Sequence, residues 1–520
     1  MPRAALPVLL AALVATPLLL PIAELARCPD GWAALREAPR VATLAGNTLA
    51  LAAGAVLLAV PLGVLAAVAV ERGGVPGRAA LGVLLVVGAL TPLPVYAAGW
   101  QAAAGAAGLP DVGGWRPWRE GLLPAVWVHG VAGVPWVALF VALALRTADP
   151  RLEDDALLAG GRRAVWRGVL WPRVRVAAAA GACWVAVQAL TESAVTDVMM
   201  VRTFAEEVYF QLVGNPAGVS AAVAVTLPVW AVAAAVAALA LRRGAAAGAG
   251  AVLAPRGAPT RGPVWVALAA WLAAAVLVGV PVVALAGRVG DAGLFARVAR
   301  THGLVLAESI LWGAVAGGVA AALALAASWR ARDSRRWAGF LIALTAVAWV
   351  TPAPLAGLGL KTLVGRLVSA EDAVLGPDAA FAPVRSLLYD QPSPLPEVWV
   401  HVLRFFPLAV AVVWPAVRAV PRELIDAAVL DGGPRAAWRA AVWPGVRGAV
   451  GVAVVAVAML SAGEVVAAKL VQPPGRHGFA QQLFDAMHYG ADATVAAMCL
   501  LQLAAVAAVS TLFLARARSG

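Results

Sequence analysis

Two short stretches of this chain carry charged and aromatic residues in the same order. Residues 153–175 and 425–447 align without a gap at a spacing of 272, and 13 of their 23 positions are identical. Each contains a glycine pair, an arginine-rich segment and a closing Trp-Pro. Arginine and tryptophan are enriched where proteins contact one another. We call these stretches the first and second cassettes, and their pattern predicts two equivalent docking surfaces.

Each cassette is predicted to form two short helices separated by a glycine turn. Glycine adopts the left-handed conformation at little cost, so Gly160 and Gly161, like Gly432 and Gly433, are expected to end the first helix in that conformation. A β-branched residue at Gly160 or Gly432 is therefore expected to misaim the second helix. The closing proline suits the first turn of the following span. For a single copy, a basic interfacial loop with snorkelling side chains is the alternative; the second copy favours docking.

The residues expected to carry this docking occupy equivalent positions in the two cassettes. They are Asp154, Ala156, Gly160, Gly161, Trp166, Arg167 and Pro172 in the first, and Asp426, Ala428, Gly432, Gly433, Trp438, Arg439 and Pro444 in the second.

Glu192 and Glu464 form a second pair of candidates, because they too are 272 residues apart. Each follows its cassette proline by about 20 residues, which is roughly 30 Å along a helix. Pseudo-symmetry predicts that they lie on opposite sides of a central pore, near its outer mouth. Ionisable groups inside spans usually face a cavity or a partner, and a carboxylate pair would favour a cation as cargo. The alternative is that both acids are solvated at the headgroup boundary.

No catalytic arrangement stands out in the sequence. A phosphate-binding loop needs GxxxxGK[ST], but Lys361 and Lys469 are the only lysines, and Leu360 stands where the motif requires glycine. The three cysteines form neither a disulfide framework nor a metal cluster. We therefore expect no enzymatic activity and no cofactor or metal bound by this chain, with ATP, if used, bound by a separate subunit.

The composition is that of a polytopic membrane protein. Hydrophobic residues make up 62% of the chain, charged residues only 13%, and the mean hydropathy is +0.85. Apolar runs recur that are long enough to cross a hydrocarbon core of roughly 30 Å. Spanning segments must be helices or closed barrels, and the alternation of barrel strands is absent, so we predict an all-α fold. The predicted spans are 5–26, 44–70, 79–101, 122–145, 174–198, 218–241, 264–287, 303–328, 337–360, 398–419, 446–468 and 491–515.

The positive charges predict the orientation. Most of the 40 lysine and arginine residues lie in the loops on the N-terminal side of the membrane, and cytoplasmic loops carry such an excess. Both termini and both cassettes are therefore predicted to be cytoplasmic, and the net charge of +12 needs no nucleic acid to explain it. The Gly-, Ala- and Pro-rich segment 242–262 is predicted to be a linker. It separates two parallel six-span repeats, 1–241 and 263–520.

The cassettes resemble the EAA loop of ABC importer permeases, whose pattern is E-A-A, three residues, G, about nine residues, then I-x-L-P. The corresponding residues here are D-D-A-L-L-A-G at 154–160 and D-A-A-V-L-D-G at 426–432. Trp-Pro follows, with the proline twelve residues after each motif glycine, one fewer than is usual. The Trp-Pro variant, the two six-span copies and the stretch NTLALAAGAVLLAVPLG (Asn47–Gly63) resemble the fused permeases of iron(III) and thiamine importers.

This resemblance implies a type I ABC importer permease fold with about twelve transmembrane helices, in the cytoplasmic (inner) membrane of a bacterium. It implies that the cassettes are coupling helices for two copies of a separate ABC ATPase, and that an extracytoplasmic substrate-binding protein delivers the cargo. The cargo would be iron(III), another small cation or a thiamine-like solute. A secondary transporter driven by an ion gradient is the alternative, although it would not need the cassettes. A membrane scaffold would use the cassettes but would not explain the internal duplication.

Overall fold

The structure is a computed structural model that describes residues 5–108, 118–215, 217–247, 264–377, 379 and 381–519. Within these ranges every regular element is a helix. Ten of the described helices are long and apolar enough to cross a membrane, or up to twelve spans are present if each of two bent helix pairs counts as one. The prediction of an all-α, multi-pass membrane protein is confirmed at this level.

The helices of the first half alternate between long spans and shorter segments. They are Ala5–Arg27, Ala38–Glu71, Arg78–Leu90, Leu93–Ala106, Leu122–Arg146, Pro150–Ala164, Val165–Leu170, Trp171–Thr191, Ala194–Val198, Phe204–Gly214 and Gly218–Ala247, with a 3₁₀ segment at Pro29–Leu35.

The second half repeats this order. Its helices are Val264–Val289, Ala292–Asp333, Arg335–Val350, Ala353–Leu375, Pro383–Arg385, Ser386–Asp390, Leu395–Ala419, Arg422–Ala437, Trp438–Val442, Trp443–Ser461, Val466–Val471, Phe479–His488 and Asp492–Ser519.

The third and ninth predicted spans are not single helices. Each consists of two helices, joined at 107° in the first half and at 108° in the second. Thr91 and Pro92 lie at the first bend, and Thr351 and Pro352 at the second. Proline lacks the N–H that would continue the ladder, and it disfavours helical geometry in the residue before it. The same Thr-Pro pair therefore breaks the helix in each half.

The fifth and eleventh predicted spans also stop earlier than expected. The fifth ends at Thr191 and the eleventh at Ser461, and a short helix resumes after Glu192 and after Glu464. Interrupted backbone at membrane depth is tolerated only where it is buried in protein or lines a cavity. The breaks at Glu192 and Glu464 are therefore expected to be buried in protein or to line a cavity.

The first span of each half packs against the opposite half. Ala5–Arg27 lies beside the helix that follows the second bend, and the Trp399 indole donates to the Leu13 carbonyl at 3.1 Å. The seventh span crosses over in return, and there the Trp271 indole donates to the Pro76 carbonyl at 3.0 Å. This exchange joins the two halves into one body.

The predicted linker, 242–262, lies mostly outside the described residues. The last helix of the first half continues to Ala247, and the described chain resumes at Val264.

Candidate functional site: two cassettes and a central cavity

Each cassette is a helix, a glycine kink and a second helix. Only the second glycine of each pair has a positive φ: φ is 67° and ψ −165° at Gly161, and φ is 78° and ψ −178° at Gly433. Gly160 is extended, with φ −163°, and Gly432 stays helical. The expectation that the first glycine of each pair is left-handed was therefore wrong. A side chain at Gly160 would act by crowding, because its Cβ would lie 2.9 Å from the Ala164 Cβ.

The outer face of each cassette is apolar as well as charged. None of residues 150–164 is buried. Leu158 and Leu430, at equivalent positions, are 88% and 87% exposed. Trp171 and Trp443 follow the same pattern at 47% and 42%. Leucine so fully exposed between arginines and aspartates is not part of the protein core, and an exposed apolar residue repeated in both halves is the character of a docking surface.

Trp166 and Trp438, predicted to lie on the docking surface, are half-buried. The Trp438 ring packs edge-on against Trp329 at 5.4 Å between centroids. The second helix of each cassette is π-helical, and the N–H of Trp171 donates to the carbonyl of Trp166, five residues back. Each π turn accommodates one extra residue, which turns the first tryptophan inward. The exposed aromatic residue is the one before the proline.

The other predicted docking residues divide between exposed and half-buried positions, and equivalent residues match except at the proline. Asp154, Asp426, Gly160, Gly432, Arg167, Arg439 and Pro444 are exposed, and Ala156, Ala428, Gly161, Gly433 and Pro172 are half-buried.

Four helix breaks meet between the two halves around a cavity of about 150 Å³. The first bend contributes Thr91 and Pro92, and the residues flanking the second bend include Trp349. The ends of the fifth and eleventh spans contribute Glu192 and Glu464. In transporters, discontinuous helices of this kind form substrate and ion sites near the bilayer midplane. We call this space the central cavity.

Both glutamates line the central cavity and also cap the short helices that follow them. The Glu192 carboxylate accepts a hydrogen bond from the N–H of Ala194 at 2.5 Å. The Glu464 carboxylate accepts from the N–H groups of Ala467 and Ala468 at 3.0 and 2.9 Å. The structure thus brings the pair to one cavity, and it gives each carboxylate a second role in holding the broken backbone.

Two basic side chains were not anticipated, one beside Glu192 and the other on the wall of the central cavity. Arg404 lines it and donates from Nη1 to the Thr351 carbonyl at 2.8 Å. His129 Nε2 lies 3.3 Å from a carboxylate oxygen of Glu192, while its Nδ1 lies 2.8 Å from the Ala125 carbonyl. Because a carbonyl only accepts, the hydrogen of the contact with Ala125 belongs to Nδ1. The cavity is therefore not purely acidic.

The lining of the central cavity is asymmetric although its frame repeats. Arg404 of the second half is equivalent in the repeat to Ala132 of the first, and Trp136 of the first half is equivalent to Leu408 of the second. The residues of each pair are 272 apart, and all four line the cavity. The second half thus contributes a basic residue where the first half has alanine. The first half contributes an aromatic residue where the second half has leucine.

The aromatic wall is a continuous stack. Trp184 lies between Trp136, at 4.7 Å between ring centroids, and Trp349, at 5.2 Å. Trp136 and Trp184 belong to the first half and Trp349 to the second, so the stack also joins the halves. Tryptophan faces attract cations and flat apolar groups, which suits a small solute with one charged end.

A second cavity of about 530 Å³ lies beyond the short helices, on the face away from the cassettes. We call it the far cavity. It is lined by Asp197, Glu206, Tyr209 and Lys469 among others, and the two short helices separate it from the central cavity. Burial, and next the neighbouring Asp197, raise the pKa of Glu206 to about 7.

Among the described residues, no group of three or more His, Cys, Asp or Glu side chains is placed to hold a metal ion. No family model, curated protein or solved structure matches the chain.

Proposed function

We propose that this chain is the permease subunit of a binding-protein-dependent, ATP-driven importer of the ABC class. The observation that carries the proposal is the matched exposure of the cassettes. Leu158 and Leu430, then Trp171 and Trp443, stand out from the surface at equivalent positions and to nearly equal extents. Two such surfaces on one chain suit two copies of the same partner.

The partner we propose is a separate ATPase, one copy per cassette. The sequence of this chain contains no phosphate-binding loop, so hydrolysis belongs to that subunit, and this chain is not itself an enzyme and binds no cofactor. The excess of arginine on the cassette side supports a cytoplasmic location for the cassettes and both termini, in a bacterial inner membrane. A type I permease fold of two parallel six-span repeats accords with the repeated element order.

The central cavity is the proposed route of the cargo, with Glu192 and Glu464 on its wall. A small cation, iron(III) or a thiamine-like solute would meet two carboxylates and the tryptophan stack there. The far cavity opens toward the face on which an extracytoplasmic substrate-binding protein would release its cargo. Transport would then need the short helices between the two cavities to move.

Co-purification with a candidate ATPase tests the proposal. Wild-type protein should retain two ATPase copies per chain in mild detergent. Leu158→Asp and Leu430→Asp should each weaken retention of one copy, and the double variant should lose both, because a charge is then forced into an apolar contact. Val374→Asp, at a residue 82% exposed but remote from the cassettes, is the matched control. Retention of a single copy, or of none, by the wild type would refute the assignment.

An ion-gradient-driven transporter is the second candidate, and the 3.3 Å approach of His129 Nε2 to the Glu192 carboxylate is the observation that favours it. Uptake into vesicles separates the two. The ABC proposal expects uptake to need ATP and the ATPase and to survive collapse of the proton gradient. Uptake that follows the gradient without any ATPase would select the secondary transporter.

A further inference from the structure

Two arginines hold equivalent carbonyls beside the cassettes. Arg72, at the end of the second span, donates from Nη2 to the Leu145 carbonyl at 2.7 Å. Arg332, at the end of the eighth span, donates from Nη1 to the Val417 carbonyl at 3.2 Å. Leu145 and Val417 are 272 residues apart and lie in the last turns of the fourth and tenth spans. Carbonyls in a last helical turn lack the usual N–H donor four residues on and carry the negative end of the helix dipole, so a guanidinium binds them well.

The two arginines differ in their second contact. Arg72 also binds the Glu153 carboxylate of the first cassette at 2.6 Å, and both side chains are largely buried. Burial raises the pKa of Glu153, and the charge and hydrogen bond of Arg72 act against that shift. In the second cassette Ile425 occupies the equivalent position, and Arg332 instead donates to the Val420 carbonyl at 2.7 Å.

The same two spans are tied to the opposite face of the molecule. The Thr48 hydroxyl, near the start of the second span, accepts from the Phe204 N–H at 3.2 Å. The Ser309 hydroxyl of the eighth span accepts from the Phe479 N–H at 3.2 Å. Phe204 and Phe479 begin the helices that contribute Glu206 and Phe484, among others, to the far cavity. From Thr48 to Arg72 is 24 residues, or roughly 36 Å of continuous helix.

We propose that the second and eighth spans are rods that transmit cassette movement to the far cavity, with Arg72 and Arg332 as positioning residues at the cassette end. Thr48 and Ser309 hold the other end. The first rod is joined to its cassette by the largely buried Arg72–Glu153 ion pair. The second is joined to its cassette helix by the exposed Asp333–Arg422 ion pair at 3.0 Å and by the packing of Trp329 against Trp438, while Arg332 binds the end of the tenth span. The inference rests on the proposed function, because it needs an ATPase to move the cassettes.

The test uses the purified permease–ATPase complex in lipid nanodiscs. Arg72→Gln and Arg332→Gln should retain both ATPase copies and keep unstimulated hydrolysis. Hydrolysis stimulated by the cargo-loaded binding protein should fall about fivefold or more, the lower end of typical coupling between sites. Normal stimulation in both variants, with the complex intact, would overturn this inference alone. Failure of the wild-type complex to form would instead remove the proposed function.

Glu153→Ile gives a second test that leaves the arginines in place. It copies the second cassette into the first and should lower stimulation by a similar factor. Asp155→Ile, at an exposed aspartate on the same helix, is the matched control and should leave stimulation unchanged. An equal loss in both variants would show a general charge effect and refute the tether.

Paired variants distinguish a rod from local structural damage. Thr48→Val and Arg72→Gln act on one rod, so combining them should reduce stimulation little beyond either alone. Ser309→Ala acts on the other rod, so its loss should multiply with that of Arg72→Gln. Distant independent sites normally show additive free energies. Full additivity between Thr48 and Arg72 would therefore overturn the proposal.

Discussion

Replacing Gly161 or Gly433 with alanine should strain the kink of its cassette without crowding it. Both glycines combine a positive φ with ψ near 180°, a region essentially restricted to glycine, where another residue costs about 1–3 kcal/mol. A Cβ added at either position would meet no atom within 4 Å, so backbone strain is the whole effect. The strain should shift the cassette toward other conformations by about 5- to 150-fold.

The assay is ATPase affinity and cargo-stimulated hydrolysis in the reconstituted complex. Each alanine variant should lose stimulation, while insertion and expression stay normal. Gly168→Ala is the matched control, because a Cβ there also meets no atom within 4 Å. The second cassette already has Ala440 at that position. Wild-type affinity and stimulation in both kink variants would refute the argument that the second glycine sets the aim of the cassette.

Four further changes probe the two cavities. Glutamine at Glu192 and Glu464 together should lower uptake about tenfold or more at equal expression, since a lost charge contact costs about 1.5–3 kcal/mol; wild-type uptake would leave the acids as helix caps only. Arg404→Gln should raise the affinity for a cationic cargo in binding assays, and weaker binding would contradict a role for Arg404 in offsetting the acids. Gly463→Ala should lower the thermal midpoint in detergent, because its Cβ would overlap the proline of the first bend and overpacking costs about 1–3 kcal/mol; an unchanged midpoint would disprove the contact. The pKa of Glu206 is raised to about 7 from 4.5, so its burial favours folding most below about pH 4.5 and that contribution is lost as the pH rises through about 7. Thermal melts across this range should show the decline, and Glu206→Gln should flatten it; parallel curves for both proteins would exclude Glu206 as its source.

The features that could be predicted from the sequence are those that depend on the length of apolar runs and on the internal repeat. Apolar runs are long enough to span, so the number of spans is close, and the 272-residue spacing links both cassettes and both glutamates. The helix breaks were not predicted, because Thr91-Pro92 inside an apolar run fits a kinked continuous span equally well. The Thr-Pro pair interrupts the helix, and tertiary contacts such as Pro92 against Gly463 accompany the turn of 107°.

The direction of side chains was the second feature that could not be predicted from the sequence. Trp166 and Trp171 are both plausible docking residues by type, and the π turn between them determines which one is exposed. The spacing of His129 and His401, also 272, was a readable signal for the partner of Glu192. The role of Arg404 could not be predicted in this way. The equivalent position in the first half is Ala132, so comparison of the two halves does not identify Arg404.

The mismatch between Arg404 and Ala132 follows from carrying both halves on one polypeptide. When a pore is assembled from two copies of one chain, closed symmetry forces every substitution to appear on both walls. Covalent linkage removes that constraint, so mutation and selection can act on one wall while leaving the other unchanged. One cavity can then carry a single guanidinium and a single tryptophan stack without a second copy of either. In the proposed transporter, a solute passing through the cavity would meet two different surfaces, and it would have one preferred orientation instead of two equivalent ones.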